Sequence, residues 1–492
     1  MNPQIRRLFL FLAVLFVALI ATSTYWLWRS PDLEARQGNP TLVVRQVTIE
    51  RGLIYASDGK TVLAQNRKRK VGEKTWYLRT YPAGGLVAQT VGYSTIARSR
   101  AGLEKSMNDF LTGSNSNLST IVDRVTGKLR GLTQTGNSLV LTIDAEAQRE
   151  AMRLLEGVCG AAVALEPATG RVLVMASSPT YDPNLVEGRF AEILGQQGPC
   201  EPAAPLLNRA SAGLFIPGST FKVITAAAAL DSQRYQPDST FVDKGYCLEY
   251  GKKVLNFADQ GGPEVFGQVT LAEALQHSIN AVFCDIGKEL GPQLVLDYAR
   301  RFGFYELPPL ETPSDERRAS GLYDNGDLFF PQDPNAVDPG RLAFGQERLL
   351  ATPLQMAMVA AGIANGGLVM RPYAVDRVLE PDGAILTRSS PQELRQAIRL
   401  ETAADLTAMM ELVVEAGTGT AAQIPGVRVA GKTGTAETGR AERNDTWFIA
   451  FAPAEAPRVA VAVALSDQSG TGGATAAPIV RAIIETLLGE ST

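Results

Sequence analysis

The longest uninterrupted apolar stretch lies near the start of the chain. Residues 8–28 carry no charge for 21 positions, long enough to cross a bilayer as a helix. Arg6 and Arg7 precede the run, and Tyr25, Trp26 and Trp28 mark its far end as an interfacial belt. It exceeds a signal-peptide core, and no small-x-small cleavage site follows, so the pattern predicts an uncleaved anchor with a short cytoplasmic tail. Charge alone does not orient it, because Arg29 and Arg36 flank the other side. A linker over 29–50 follows, with Thr41-Leu42-Val43-Val44 as its apolar, strand-like piece. Arg51–Tyr55 and Ser57–Ala64 then read as two short strands joined across Asp58-Gly59. The basic run Arg67-Lys68-Arg69-Lys70 is expected at a solvated hairpin tip, with contact to an anionic wall polymer or lipid surface as the alternative. A helix over 99–113, a Thr/Val/Leu-rich strand ending at Ser138–Asp144, and a helix through Glu156 complete this part.

The pattern changes near residue 160. Gly160–Glu166 and Arg171–Ala176 flank the turn Pro167-Ala168-Thr169-Gly170 and read as two strands, the second with no solvent-facing alternation, as expected for a buried strand. Pro217-Gly218 break the chain before Ser219-Thr220-Phe221-Lys222, and Val223–Leu230 continue as almost wholly apolar helix. A helix that is apolar all round is buried. Beyond it the sequence predicts a Gly/Pro-rich region (258–267), a helix over 270–290 and a loop-rich segment near 305–340. Helices over 351–365 and 402–416, three apolar strands near 427–435, 447–451 and 458–465, and a final helix over 476–488 follow. Two strands early and three late imply a mixed sheet in which the ends of the domain meet, with helices on its faces.

Composition narrows the chemistry. The 492 residues suffice for two or three domains, 45% hydrophobic content supports a sizeable core, and the net charge of −4 argues against a nucleic-acid partner. With one histidine, His277, and four cysteines in no C-x-x-C pair, sites needing two histidines or close cysteine pairs are excluded. A Ser-His-Asp triad could use only His277, so a nearby lysine is the favoured base for a serine nucleophile here. Cys159, Cys200, Cys247 and Cys284 allow three pairings in an oxidising compartment, or four separate buried thiols; Cys247–Cys284 and Cys159–Cys200 are the pairs we single out. His277 is read as structural.

Three short motifs carry the chemistry. Ser219-Thr220-Phe221-Lys222 places a hydroxyl and an amine one helical turn apart, about 4.5 Å along one face. Ser278-Ile279-Asn280 opens a second helix, and Lys432-Thr433-Gly434-Thr435 lies on the first late strand. Each motif alone turns up by chance, as an ordinary serine cap or a snorkelling lysine. In this order on helix, helix and strand they are specific.

On these motifs the chain resembles the penicillin-binding proteins, and among them the monofunctional class B transpeptidases of the shorter, actinobacterial kind. Arg51-Gly52-x-Ile54, Asp58-Gly59, Gly102-Leu103-Glu104 and Leu111-Thr112-Gly113 are similar to the class B pedestal. Asn208-Arg209-Ala210, Thr352–Ala357, Ala364–Gly367 and Gly417–Ala422 extend the resemblance along the chain. It departs at Gly345-Gln346-Glu347, where the family often has a second glycine, and at Asp445-Thr446-Trp447-Phe448, where it often has a histidine.

The resemblance implies an α+β fold: residues 1–28 as tail and transmembrane helix, 29–150 as a mainly β pedestal, and 151–492 as a transpeptidase domain with a five-stranded antiparallel sheet flanked by helices. It implies a D,D-transpeptidase that cross-links peptidoglycan stem peptides ending in D-Ala-D-Ala and is acylated by β-lactam antibiotics. Ser219 would be the nucleophile, Lys222 its base, Lys432 a second cation and Ser278 a proton relay. Asn280 would hold the substrate backbone. Thr433 and Thr435 would take the terminal carboxylate, and Gly434 would leave the strand edge open. No metal or cofactor is implied. A SEDS-family glycosyltransferase in the membrane is the implied partner, and the catalytic domain would lie outside the cytoplasm on a single-pass anchor. A β-lactamase or carboxypeptidase of the same fold would need neither pedestal nor anchor, and a non-catalytic sensor would not need all three motifs intact.

Overall fold

A computed structural model describes residues 3–34, 47–114, 135–249, 251–256, 264–439 and 443–489, with backbone alone over 27–34. The apolar N-terminal run forms helix α1 (Pro3–Glu34), of which Pro3–Trp26 is long and apolar enough to cross a membrane and none is buried against the rest of the protein. The predicted strand at 41–44 and most of the Gly/Pro-rich stretch near 258–267 lie outside the described residues.

Strands β1 (Ile54–Tyr55), β2 (Val62–Val71) and β3 (Lys74–Thr80) follow. The first turn is fixed by Asp58, whose carboxylate accepts from the backbone N–H groups of Lys60 and Thr61 at 2.8 Å. The basic run lies along β2 and leads to the β2–β3 tip, exposed as expected. The single helix expected over 99–113 is two short ones, α2 (Gly102–Ser106) and α3 (Asn108–Leu111), broken at Met107. Glu104 of α2 is fully buried and accepts from Arg51 at 2.7 Å and from Arg79 at 2.5 Å. Burial alone would raise its pKa, but the two guanidiniums hold the carboxyl below its usual range.

Strand β4 (Ser138–Leu141) and helix α4 (Ala145–Leu154) lead to β5 (Gly160–Leu165) and β6 (Val172–Ser178). After α5 (Lys222–Asp231) come α6 (Leu271–Gln276) and α7 (Asn280–Leu290), then α8 (Pro353–Ala364), β7 (Val375–Leu379), β8 (Ile385–Arg388) and α9 (Leu400–Ala416). The chain closes with β9 (Ala430–Glu437), β10 (Asn444–Ala452), β11 (Val459–Gln468) and α10 (Ala477–Leu488). The segment expected as loop near 305–340 also holds a hairpin, Gly321–Asp324 against Asp327–Phe329.

The central sheet runs β9-β10-β11-β5-β6. It is antiparallel throughout rather than mixed. Its strands are apolar without alternation because both faces are covered. Ala161, Val163, Trp447, Ile449, Ala460 and Ala462 point into one core with α5 and α8. Their neighbours Ala162, Ala164, Phe448, Ala450, Val461 and Val463 point into a second core with α4 and α10. A second sheet, ordered β8-β7-β4-β1-β2-β3, joins the early strands to two from residues 375–388. Antiparallel β4–β7 pairing, with Leu139 opposite Val378, therefore stitches the N-terminal part to the body. The disulfides are Cys159–Cys200 and Cys247–Cys284, the pairs singled out from the sequence.

Candidate active site

Ser219 sits in a 3-10 turn, Gly218–Phe221, that feeds directly into α5. The turn is held from below by β10. Asp445 accepts from the Ile216 N–H at 3.0 Å, and the Trp447 indole donates to the Ile216 carbonyl at 2.9 Å. It also rests on β9 and on residue 345. A Cβ at Gly434 would lie 2.8 Å from the Pro217 carbonyl oxygen, and one at Gly345 would lie 2.2 Å from that of Gly218. Gly345 has φ +78° besides, so only glycine suits it. Gly434 thus serves close packing of the serine turn onto β9, a reason the sequence reading did not give. The departures at 345–347 and 445–448 keep the residues that hold this turn.

Lys222 is fully buried at the start of α5. Its Nζ donates to the Ser278 carbonyl at 2.6 Å and to Asn280 Oδ1 at 2.8 Å, and lies 3.2 Å from Ser278 Oγ. Lys432, also fully buried, places Nζ 2.8 Å from the same Ser278 Oγ and 3.1 Å from the Thr433 carbonyl. The two lysines therefore meet across one hydroxyl. Burial, then the nearby Lys432 charge, holds the Lys222 amine well below its usual range. Burial pushes Lys432 down to about 7. The two ammoniums repel each other, so the pair gives up one proton readily, and Lys222, the more strongly depressed of the two, is the one that loses it. A neutral Lys222 fits the geometry: two N–H groups serve two carbonyl oxygens, and its lone pair is free to accept from the Ser278 hydroxyl. No hydrogen bond reaches the half-buried Ser219 hydroxyl among the described residues.

The expected helix over 270–290 breaks at this point. Ser278 has φ +58°. Its N–H bonds to Leu275 O at 3.2 Å, and the Ile279 N–H bonds to Ala274 O at 2.9 Å. These two bonds are the Schellman ending, whose left-handed position glycine usually fills. The break turns the Ser278 side chain toward both lysines and lets α7 restart at Asn280. His277 caps α6 and stacks on Phe266 with centroids 5.0 Å apart, a structural place.

Several partners escaped the sequence reading. Thr433 Oγ1 pairs with Thr418 Oγ1 at 2.6 Å, and Thr435 Oγ1 accepts from the Gly472 N–H at 3.1 Å. Asn280 donates to Leu255 O at 3.1 Å, and Asn256 accepts from the Ala281 N–H at 2.9 Å while its amide is held by Asp243. The Cys247–Cys284 bridge ties the strand beside this latch to α7. Only Thr418 carried a signal, inside Gly417–Ala422; Asp243, Leu255, Asn256 and Gly472 are single residues with no motif around them.

The arrangement is a serine at a helical turn, a buried amine with a depressed pKa, a relay hydroxyl and a second amine, set beside the outer strand of a sheet. It suits acyl transfer. Residues 160–485 match the family of penicillin binding protein transpeptidase domains, and 51–139 match the penicillin binding protein A dimerisation domain. The chain is 35% identical over 512 aligned residues to the peptidoglycan D,D-transpeptidase PbpA of Mycolicibacterium smegmatis, covering 100% of both. It resembles the ceftriaxone acyl-enzyme complex of penicillin-binding protein A from M. tuberculosis at 34% identity and TM-score 0.79, covering 90% of this chain and 100% of that one. The D,D-transpeptidase domain of a peptidoglycan glycosyltransferase from Eggerthella lenta is similar at 34% identity and TM-score 0.76, covering 90% and 99%.

Proposed function

The chain belongs to the class B penicillin-binding proteins, and from that premise we propose that it is a peptidoglycan D,D-transpeptidase working through an acyl-Ser219 intermediate that β-lactams also form. The observation that carries the assignment is the Ser278 hydroxyl shared by two buried lysines beside the serine turn. Ser219 Oγ attacks the carbonyl of the penultimate D-alanine, and its proton passes to neutral Lys222. The backbone N–H groups of Ser219 and Thr435 stabilise the oxyanion. Lys222 returns the proton through Ser278 to the departing D-alanine amine. An acceptor amine then reverses the sequence and forms the cross-link. Lys432, Thr433 and Thr435 take the substrate carboxylate. Asn280 retains one bonding direction at each end of its amide for the substrate backbone.

Labelling with a fluorescent penicillin tests this. The intact protein should retain the label, Ser219→Ala should not, and rapid release from the intact protein would make it a hydrolase instead.

The proposed division is 1–28 anchor, 29–150 pedestal and 151–492 transpeptidase domain, with the catalytic part outside the cytoplasm on one membrane pass. The anchor and pedestal (about 5–150) form the proposed contact for a SEDS-family glycosyltransferase. Swapping residues 8–28 should abolish co-purification, and unchanged co-purification would remove the anchor from that contact.

A further inference from the structure

The basic run at 67–70 has no part in the chemistry above. Between residues 67 and 74 the chain places five basic residues and one acidic, in a protein whose net charge is −4. Cross-strand register sorts the β2–β3 hairpin into two faces. One carries Lys68 opposite Tyr77 and Asn66 opposite Arg79, and it turns to the body. Tyr77 is buried, Lys68 pairs with Glu50 at 3.0 Å, and Arg79 reaches Glu104. The other pairs Arg67 with Leu78, Arg69 with Trp76 and Val71 with Lys74. Arg67, Arg69 and Lys74 are exposed and have no ion-pair partner among the described residues, and Val71 is 39% exposed at the tip.

We propose that this second face docks on the surface of an anionic lipid bilayer, beside the protein's own anchor. Three cations alternating with a tryptophan and aliphatic residues are the composition of an interfacial element: the charges meet lipid phosphates, and the apolar groups enter the headgroup layer. The proposal rests on reading α1 as the membrane anchor. Only twelve residues separate Glu34 from Val47, so a fully extended connection holds the domain within about 40 Å of the end of α1. Docking would fix the orientation of the catalytic body relative to the bilayer.

The test uses the full chain in lipid nanodiscs. All four native cysteines are in disulfides, so Glu73→Cys gives one labelling site at the tip for a fluorophore, quenched by lipid spin-labelled at the headgroup. Quenching should be about two-fold or more stronger with phosphatidylglycerol present than in phosphatidylcholine alone. It should fall to the phosphatidylcholine level in about 1 M salt, where the screening length is about 3 Å. Arg67→Glu/Arg69→Glu/Lys74→Glu should abolish the lipid difference while penicillin labelling stays intact, which shows the fold is kept. Equal quenching in both lipids, or quenching unmoved by charge reversal, overturns the proposal. A response to soluble poly(glycerol phosphate) with none to anionic nanodiscs overturns it in favour of a wall polymer. Failure to enter nanodiscs at all would instead overturn the anchor.

Discussion

Ser278 shows how one residue meets two demands. A left-handed φ is unfavourable for a residue with a Cβ, by about 1 kcal/mol or more, yet a glycine there could not link the lysines. Ser278→Gly should therefore leave unfolding stability unchanged or raise it by about 1 kcal/mol. The same variant should slow penicillin acylation by about 100-fold or more, since a proton path is lost. Chemical denaturation and stopped-flow acylation on the same preparation separate the two. The lysine pair sets the pH dependence. Lys222 must be neutral to accept a proton, so acylation falls as pH drops through its depressed pKa. Lys432 must be charged to hold a carboxylate, so acylation also falls as pH rises through about 7. The acylation rate should be bell-shaped in pH, and Lys432→Arg, which cannot lose its proton, should remove the alkaline limb. Stability runs differently. Both lysines bind fewer protons folded than unfolded between their folded values and about 10.4, so their contribution to stability rises with pH across that window.

At the scale of elements, the site exists because three segments touch backbone to backbone: the serine turn, β9 and the loop at residue 345. Glycine permits each contact. Gly345→Ala should displace the turn, since its Cβ would sit 2.2 Å from Gly218 O at a positive φ. The expected result is loss of about 2–4 kcal/mol in denaturant unfolding. Acylation by fluorescent penicillin should fall with it even at temperatures where the protein stays folded. The motifs themselves were legible in the sequence, because Ser219–Lys222, Ser278–Asn280 and Lys432–Thr435 are local patterns. The sequence read both a helix over 270–290 and a helix start at Ser278, but the left-handed break that separates α6 from α7 was not legible, because 270–290 is helix-compatible throughout. What breaks it is the pair of capping bonds to Ala274 and Leu275, which local propensity does not reveal. Likewise Trp447 read as a strand residue and Asp445 lay outside the expected strand; only the packing of β10 under Ile216 turns both into supports for the nucleophile.

Across the whole molecule, the buried trio Arg51–Glu104–Arg79 ties α2 to the second sheet, and β4–β7 pairing ties that sheet to the catalytic body. Glu104→Ala would leave two guanidiniums buried without a counter-charge, and should destabilise by about 3–5 kcal/mol. Denaturant unfolding followed by tryptophan fluorescence should shift together with loss of penicillin binding, since the shared sheet couples the two parts. The sequence by itself determined the buried strands, the apolar helix behind Ser219 and the order of the motifs, because each depends on residues close together in the chain. With a single histidine, it also pointed to a lysine base. It could not determine that residues 375–388 complete the N-terminal sheet, since strand pairing over hundreds of residues leaves no local trace. Nor could it place Lys222 and Lys432 on one hydroxyl, which tertiary packing alone decides. Burying two amines around Ser278 lowers both pKa values, and that shared desolvation turns three short motifs into one site.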